Sequence, residues 1–217
     1  MKTSVGFYCD KIYRFRPVVF LCLFYFALAV SRAEGENPPV ILALGDSLTA
    51  GFGVPEQESY PTRLKYFLKE KGYPHVVINA GVSGDTTAGG LRRLTWLMKM
   101  KPKIVIIALG ANDGLRGLPV EDIYSNLKQI IQLSREHHAR VLLIGMKTPP
   151  NYGEKYSHQF EEVFTRLAKE YQVPFIPFLL EGVAAKRELT QSDGIHPLGA
   201  GYKIVADTVW KTLEPML

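Results

Sequence analysis

Serine, asparagine, aspartate and histidine recur in glycine-containing segments that follow apolar runs. Ser47 lies in a Gly-Asp-Ser-Leu segment, Asn112 lies in a Gly-Ala-Asn-Asp segment, and Asp193 precedes His196 by three residues. A serine can attack an acyl carbonyl when a histidine takes its proton and a carboxylate holds that histidine in the required tautomer. These residue types therefore predict nucleophilic acyl transfer, with Ser47 as nucleophile, His196 as base and Asp193 as the carboxylate that orients the base.

Acyl transfer also requires hydrogen-bond donors for the negative charge that develops on the carbonyl oxygen. The Asn112 carboxamide can donate to such an oxyanion, and the backbone N–H groups of Gly81 and Gly84 can approach a ligand closely because glycine has no Cβ. Ser83 lies between these glycines, and on chemistry alone it is a second candidate nucleophile. Ordinary structural roles are the alternative, such as a turn serine at Ser47.

Short apolar runs alternate with amphipathic stretches along the rest of the chain. The runs predict five strands, at 40–44, 76–79, 104–109, 141–144 and 173–177. The amphipathic stretches predict five helices, at 59–71, 86–100, 120–138, 154–171 and 197–214, the last beginning at Pro197. Repeated strand–helix alternation with continuously apolar strands predicts a three-layer α/β/α fold around a parallel sheet. In such folds ligands bind beyond the carboxyl ends of the strands, which is where the candidate residues fall.

The four segments that contain Ser47, Gly81, Asn112 and His196 resemble the sequence blocks of the SGNH (GDSL) hydrolase family and occur in the same order. The resemblance covers residues 38–215. The similarity is strongest to its bacterial thioesterase I/lysophospholipase/arylesterase branch. It implies a flavodoxin-like five-stranded parallel sheet of order 2-1-3-4-5, with no metal and no cofactor. It implies Ser47 rather than Ser83 as nucleophile, and an oxyanion hole of the Ser47 and Gly81 amides with the Asn112 side chain. It also implies a mobile loop from Thr148 to Tyr156 beside the acyl pocket.

The first 33 residues have the pattern of a secretory signal peptide. A basic stretch ends at Arg16, an apolar run covers 17–30, and small residues at Ser31 and Ala33 fit cleavage after Ala33. This predicts a mature domain of residues 34–217 that is periplasmic or secreted; an uncleaved membrane anchor is the alternative. Both cysteines lie in the first 33 residues, so no disulfide is expected in the mature domain.

The charge pattern argues against nucleic acid as a partner. The formal net charge is +5, but five basic residues lie before residue 34, and the remainder of the chain is close to neutral. The predicted function is hydrolysis of carboxylic esters or thioesters through an acyl-enzyme, by a monomer. The expected substrates are small acyl esters, aryl esters, acyl thioesters or lysophospholipids, with transient contact with membrane lipid. A carbohydrate O-acetyl esterase and a non-catalytic lipid-binding envelope protein are the alternatives.

Overall fold

A computed structural model describes residues 37–217. Five strands form one all-parallel sheet of order β2-β1-β3-β4-β5. Their bounds are Val40–Gly45 (β1), Val76–Gly81 (β2), Ile104–Ala108 (β3), Arg140–Ile144 (β4) and Phe175–Ile176 (β5). The predicted flavodoxin-like topology is confirmed. The predicted signal peptide lies outside the described residues.

Seven α-helices in the described residues connect or follow these strands. They are Ser47–Ala50 (α1), Tyr60–Glu70 (α2), Thr87–Leu97 (α3), Ala111–Leu115 (α4), Val120–Glu136 (α5), Glu154–Tyr171 (α6) and Gly199–Leu213 (α7). Short 3₁₀ turns occupy Glu56–Glu58, Met98–Met100, Pro150–Tyr152 and Glu214–Met216. Helix α2 packs beside α7, and α3, α5 and α6 pack side by side. Within residues 37–217, no helix combines the length and the apolar character needed to cross a membrane.

The core is built from the two central strands and the apolar stripes of the helices. All of 41–44 in β1 and all of β3 are fully buried, as expected for strands covered on both faces. On α5 the buried side chains recur at the spacing of one helical face; they are Ile123, Tyr124, Leu127, Ile130, Ile131 and Ser134. This periodicity was visible in the sequence and explains why the helix was predictable.

The strand register brings three chain segments together at one edge of the sheet. Gly45, the last residue of β1, stands opposite Gly81 of β2 and Ala108 of β3. Because the strands are parallel, the residues that follow each of these positions emerge side by side. Helix α1 crosses this edge so closely that a Cβ at Gly81 would lie 2.2 Å from the backbone nitrogen of Ala50. Glycine is therefore required there for packing.

The main differences between the structure and the sequence prediction concern strand β5, the start of helix α7 and two short helices. Strand β5 has only two residues because Pro174 and Pro177, which have no N–H, flank it. Helix α7 begins at Gly199 and not at Pro197, since Pro197 forms an isolated antiparallel bridge with Thr190. Ser47 opens the short helix α1 and Ala111 opens the short helix α4, and neither helix was among the predicted ones.

Candidate active site

Ser47 is presented by the tight connection between β1 and α1. The side chain of Asp46 accepts the Leu48 N–H at 3.0 Å and so caps α1. Ser47 is the first residue of the helix, so its own N–H has no partner within it, and this N–H makes no hydrogen bond to another described residue. The serine hydroxyl and a free backbone donor therefore lie on the same residue.

The structure brings Ser47, His196 and Asp193 into one hydrogen-bonded chain. The Ser47 Oγ lies 2.9 Å from the His196 Nε2, and the His196 Nδ1 lies 2.7 Å from the Asp193 Oδ2. The other carboxylate oxygen of Asp193 accepts the backbone N–H groups of Ile195 at 2.9 Å and His196 at 3.0 Å. With an ionised Asp193, Nδ1 carries the proton and Nε2 is free to accept the serine proton.

The surroundings of Asp193 keep its carboxylate ionised. Partial burial acts to raise its pKa, but the hydrogen bonds from the His196 side chain and from two backbone N–H groups outweigh this effect. The net result is a pKa below the usual range for aspartate. The Asp193 side chain is 40% exposed and that of His196 is 19% exposed, so this half of the site lies open to solvent.

Asn112, in the first turn of α4, points its carboxamide toward the same edge of the sheet. Its Nδ2 donates to the Asp85 carbonyl oxygen at 3.0 Å and to the Asp46 Oδ2 at 3.3 Å. The second bond is beyond the usual length of a strong N–H···O hydrogen bond. An oxyanion could replace it at small cost, so the amide is a suitable donor.

Gly81, the last residue of β2, and Gly84, in the connection that follows, have backbone amides in different hydrogen-bond states. The Gly81 N–H donates to the Asn79 Oδ1 at 2.9 Å, so this amide is engaged within β2 and its connection. The Gly84 N–H makes no hydrogen bond to a described residue. Gly84 is exposed and has φ +81°, a conformation that favours glycine. The N–H of Gly81, the predicted donor, is thus already hydrogen-bonded, whereas the N–H of Gly84 makes no hydrogen bond to a described residue.

Ser83, the rival nucleophile, is exposed. No hydrogen bond joins its hydroxyl to a histidine within residues 37–217, whereas Ser47 has such a bond at 2.9 Å. Geometry within the described residues therefore favours Ser47, in agreement with the family resemblance.

Two networks support the loops, one buried at Asp113 and one partly buried at Arg93 and Asp85, and neither was foreseen from the sequence. Asp113 is almost fully buried, and its two oxygens accept the Thr87 N–H at 2.9 Å and the Thr87 hydroxyl at 2.6 Å. Arg93 pairs with Asp85 at 2.8 Å and donates to the Gly45 carbonyl oxygen at 2.9 Å. These bonds tie the connections after β1, β2 and β3 to one another, and they link residues 8 to 48 positions apart.

Asp46 is fully buried beneath the site. Burial, which disfavours the charged form, raises the pKa of its carboxyl to about 7. Hydrogen bonds from Leu48 and Asn112 and the nearby His196 act in the opposite direction. A carboxyl that titrates near neutrality therefore touches both the helix that carries Ser47 and the Asn112 amide.

The segment from Thr148 to Tyr156 is tied to the end of α4. The Tyr152 hydroxyl donates to the Leu115 carbonyl oxygen at 2.6 Å, and the Tyr156 hydroxyl donates to the Leu118 carbonyl oxygen at 2.8 Å. The Tyr156 ring also stacks on Phe160 of α6, with centroids 6.3 Å apart. The mobility implied by the resemblance remains a prediction.

A cavity of about 700 Å³ lies between α5 and α6, and none of its lining residues belongs to the Ser47 site. Its walls carry charges of both signs, among them Glu121, Arg166 and Glu170. The hydrogen-bonded chain at Ser47, and not this cavity, has the geometry for acyl transfer. Within residues 37–217, no group of three or more His, Cys, Asp or Glu side chains is arranged to hold a metal ion.

Comparison with known proteins agrees with this fold. The model of the GDSL-like lipase/acylhydrolase family matches residues 43–204. Esterase TesA of Pseudomonas aeruginosa is 41% identical over 82% of this chain and 89% of its own length. Arylesterase of Vibrio mimicus is 42% identical over 89% of this chain and 95% of its own. Thioesterase 1/protease 1/lysophospholipase L1 of Escherichia coli is 36% identical over 96% of both chains.

Solved structures show the same similarity in three dimensions. A crystal structure of TesA superposes with a TM-score of 0.80 at 41% identity, covering 82% of this chain and 99% of that one. A structure of the esterase EstA from Pseudoalteromonas sp., inhibited by monoethylphosphonate, gives 0.78 at 34% identity, covering 83% and 98%. The chain belongs to the GDSL-like lipase/acylhydrolase family. It is an enzyme of the carboxylic ester hydrolase class, within the esterase, thioesterase and lysophospholipase group of SGNH hydrolases.

Proposed function

We propose that this enzyme hydrolyses its substrates through an acyl-enzyme on Ser47. His196 takes the Ser47 proton while the serine oxygen attacks the acyl carbonyl, and it then gives that proton to the departing alcohol or thiol. Water then attacks the acyl-enzyme in the same way, with His196 as the base, and the acid is released. The observation that carries this proposal is the chain of contacts from Ser47 Oγ to His196 Nε2 at 2.9 Å and from His196 Nδ1 to Asp193 at 2.7 Å.

The oxyanion hole in this proposal consists of the Ser47 amide, the Asn112 carboxamide and the Gly84 amide. The Ser47 and Gly84 N–H groups make no hydrogen bonds to other described residues. The Asn112 Nδ2 reaches the carbonyl of Asp85, the residue that follows Gly84. Gly84 takes the place of Gly81, which the family resemblance implied as the donor, because the Gly81 N–H already donates to Asn79.

The proposed substrates are carboxylic esters of broad structure, including aryl esters, acyl thioesters and lysophospholipids. The relatives named arylesterase and thioesterase 1/lysophospholipase L1 support this range. Phe52 and Val82 are exposed large apolar side chains on the connections after β1 and β2, and they suit transient contact with lipid. We propose that the enzyme acts as a monomer.

We also propose export, with residues 1–33 as a cleaved signal peptide. Expression of the full chain should then yield a protein that begins at Glu34 and is recovered from the periplasm or the medium. N-terminal sequencing tests this proposal. An intact Met1 in the membrane fraction would instead favour the anchor alternative.

The catalytic proposal is tested with the mature protein and 4-nitrophenyl acetate, butyrate and laurate, with a lysophospholipid and an acyl thioester in parallel. Ser47→Ala should reduce hydrolysis by about 10⁴-fold or more, whereas Ser83→Ala, the matched control, should keep most of the activity. A fluorophosphonate should modify Ser47, in keeping with the phosphonate inhibition of EstA. An adduct mapped by mass spectrometry to Ser83 would overturn the assignment.

A further inference from the structure

Phe52 is an aromatic residue that the catalytic steps do not use, although it lies against the base. Its ring centroid is 4.7 Å from that of His196, with an angle of 46° between the ring planes. The side chain is nevertheless 49% exposed. A large apolar side chain that contacts His196 and still presents half its surface to solvent has room to contact a ligand as well.

Hydrogen bonds hold the backbone of Phe52 on both sides of its side chain. The Phe52 N–H donates to the Ser47 carbonyl oxygen at 3.1 Å, and its own carbonyl oxygen accepts the Gln191 side-chain amide at 2.8 Å. One bond leads to the nucleophile and the other to the loop that carries His196. Gly51 and Gly53 on either side have φ of +84° and +76°, so the chain turns sharply at both neighbours.

The chemistry of the departing group determines what Phe52 would contact. During acylation the oxygen or sulfur of the leaving group must come within hydrogen-bond reach of the His196 Nε2 to receive its proton. The rest of the leaving group extends from that atom beside the imidazole. The Phe52 ring already contacts the imidazole, so a leaving group of several heavy atoms passes within reach of the exposed part of this ring.

We propose that Phe52 forms a subsite for aromatic and other apolar leaving groups, and so sets a preference for aryl esters over short alkyl esters. The proposal rests on the acyl-enzyme function proposed above. Aromatic pairs contribute about 0.5–1.5 kcal/mol beyond simple burial, which corresponds to about two- to thirteenfold in a rate ratio. The preference should appear in kcat/KM, which includes acylation, and not in deacylation, when the leaving group has gone.

The experiment compares phenyl butyrate with ethyl butyrate, which give the same acyl-enzyme. Phe52→Ala should lower kcat/KM for phenyl butyrate about two- to thirteenfold and should change kcat/KM for ethyl butyrate less. Phe52→Leu keeps apolar bulk without the aromatic face, so its loss on phenyl butyrate should be intermediate. Trp96→Ala is the matched control, because Trp96 is an exposed aromatic residue on α3. Its kcat/KM for each of the two esters should stay at the wild-type value.

The alternative role of Phe52 is only to hold His196 in place. In that case Phe52→Ala would reduce kcat/KM equally for both esters, and this result would overturn the subsite. An unchanged kcat/KM for phenyl butyrate would overturn it too. The rate of deacylation, measured in single-turnover experiments, should be the same in the variants as in the wild type. Failure of the wild-type enzyme to hydrolyse either ester would refute the proposed function itself, which is a different outcome from hydrolysis without a leaving-group preference.

Discussion

The two halves of the proposed active site are built in contrasting ways. Asp193 and His196 lie on a partly exposed loop, and the hydrogen bonds that join them span three residues of sequence. Asp46 and Asn112 lie over the sheet edge, where Asp46 is fully buried and the bond between the two spans 66 residues. Substitutions in the exposed half should therefore change activity with little change in stability. Substitutions in the buried half should change both.

The largest effect on activity with the smallest effect on stability is expected for Asp193→Asn. The asparagine Oδ1 can still accept the two backbone N–H groups, but its NH₂ group would face Nδ1 and favour the wrong imidazole tautomer. We expect kcat to fall about 10³–10⁴-fold while the free energy of unfolding changes by less than about 1 kcal/mol. Turnover and chemical denaturation of the same preparation measure both. Full activity in a stable variant would remove Asp193 from the triad.

The next largest loss of activity is expected for Asn112→Ala. It removes a donor that matters most in the transition state, so kcat should fall about 10²–10³-fold with KM nearly unchanged. It also leaves the Asp85 carbonyl without this donor, so the unfolding free energy should fall by about 1–2 kcal/mol. Steady-state kinetics with 4-nitrophenyl butyrate and a denaturant curve test both parts. A change confined to KM would make Asn112 a substrate-binding residue.

Asp46→Asn tests whether the buried half makes stability depend on pH. The ordinary aspartate pKa is 3.8, and burial raises that of Asp46 to about 7 in the folded protein. Between these values the folded state keeps a proton that the unfolded chain has lost, so the free energy of unfolding falls as pH rises from about 4 to 7. Asparagine does not titrate and should remove a fall on the order of 2–4 kcal/mol.

Denaturation curves for the wild type and Asp46→Asn at pH 4.5 and pH 8 measure this difference. Asp122→Asn, which changes an exposed aspartate on α5, is the matched control and should leave the wild-type pH dependence in place. Equal pH dependence in the wild type and in Asp46→Asn would show that the buried carboxyl is already charged in the acid range. The asparagine amide would also face the Asn112 NH₂ group, so a lower kcat is expected as well.

The smallest effect is expected for Asn79→Ala, which frees the Gly81 N–H. If Gly84 supplies the backbone donor, as proposed, kcat should stay within about twofold, and stability should fall by about 1 kcal/mol for the lost hydrogen bond. If Gly81 is the donor, releasing it from Asn79 should raise kcat several-fold. Kinetics at saturating substrate separate the two. Asn126→Ala, which removes a part-buried side-chain hydrogen bond from α5 to Thr87, controls for loss of a partly buried amide.

The same contrast explains what the sequence could predict. The strands and helices follow from local periodicity, and the contact between Asp193 and His196 follows from their spacing of three residues. The free or occupied state of the Gly81 and Gly84 amides depends on how the connection after β2 folds, which no periodicity encodes. The Arg93 bond to Gly45 spans 48 residues, so only the folded sheet reveals it. Phe52 was missed because nothing local marks a ring that contacts a residue 144 positions away.

The exposed loop that carries Asp193 and His196 also bears on how the enzyme would lose activity on heating. Its ties to the rest of the chain include the Thr190–Pro197 bridge and the Gln191 bond to Phe52. Segments with few buried contacts open at lower free energy than the core. Amide hydrogen exchange should therefore be faster in this loop than in β1 or β3. Thermal inactivation would then begin reversibly, below the temperature at which the sheet unfolds.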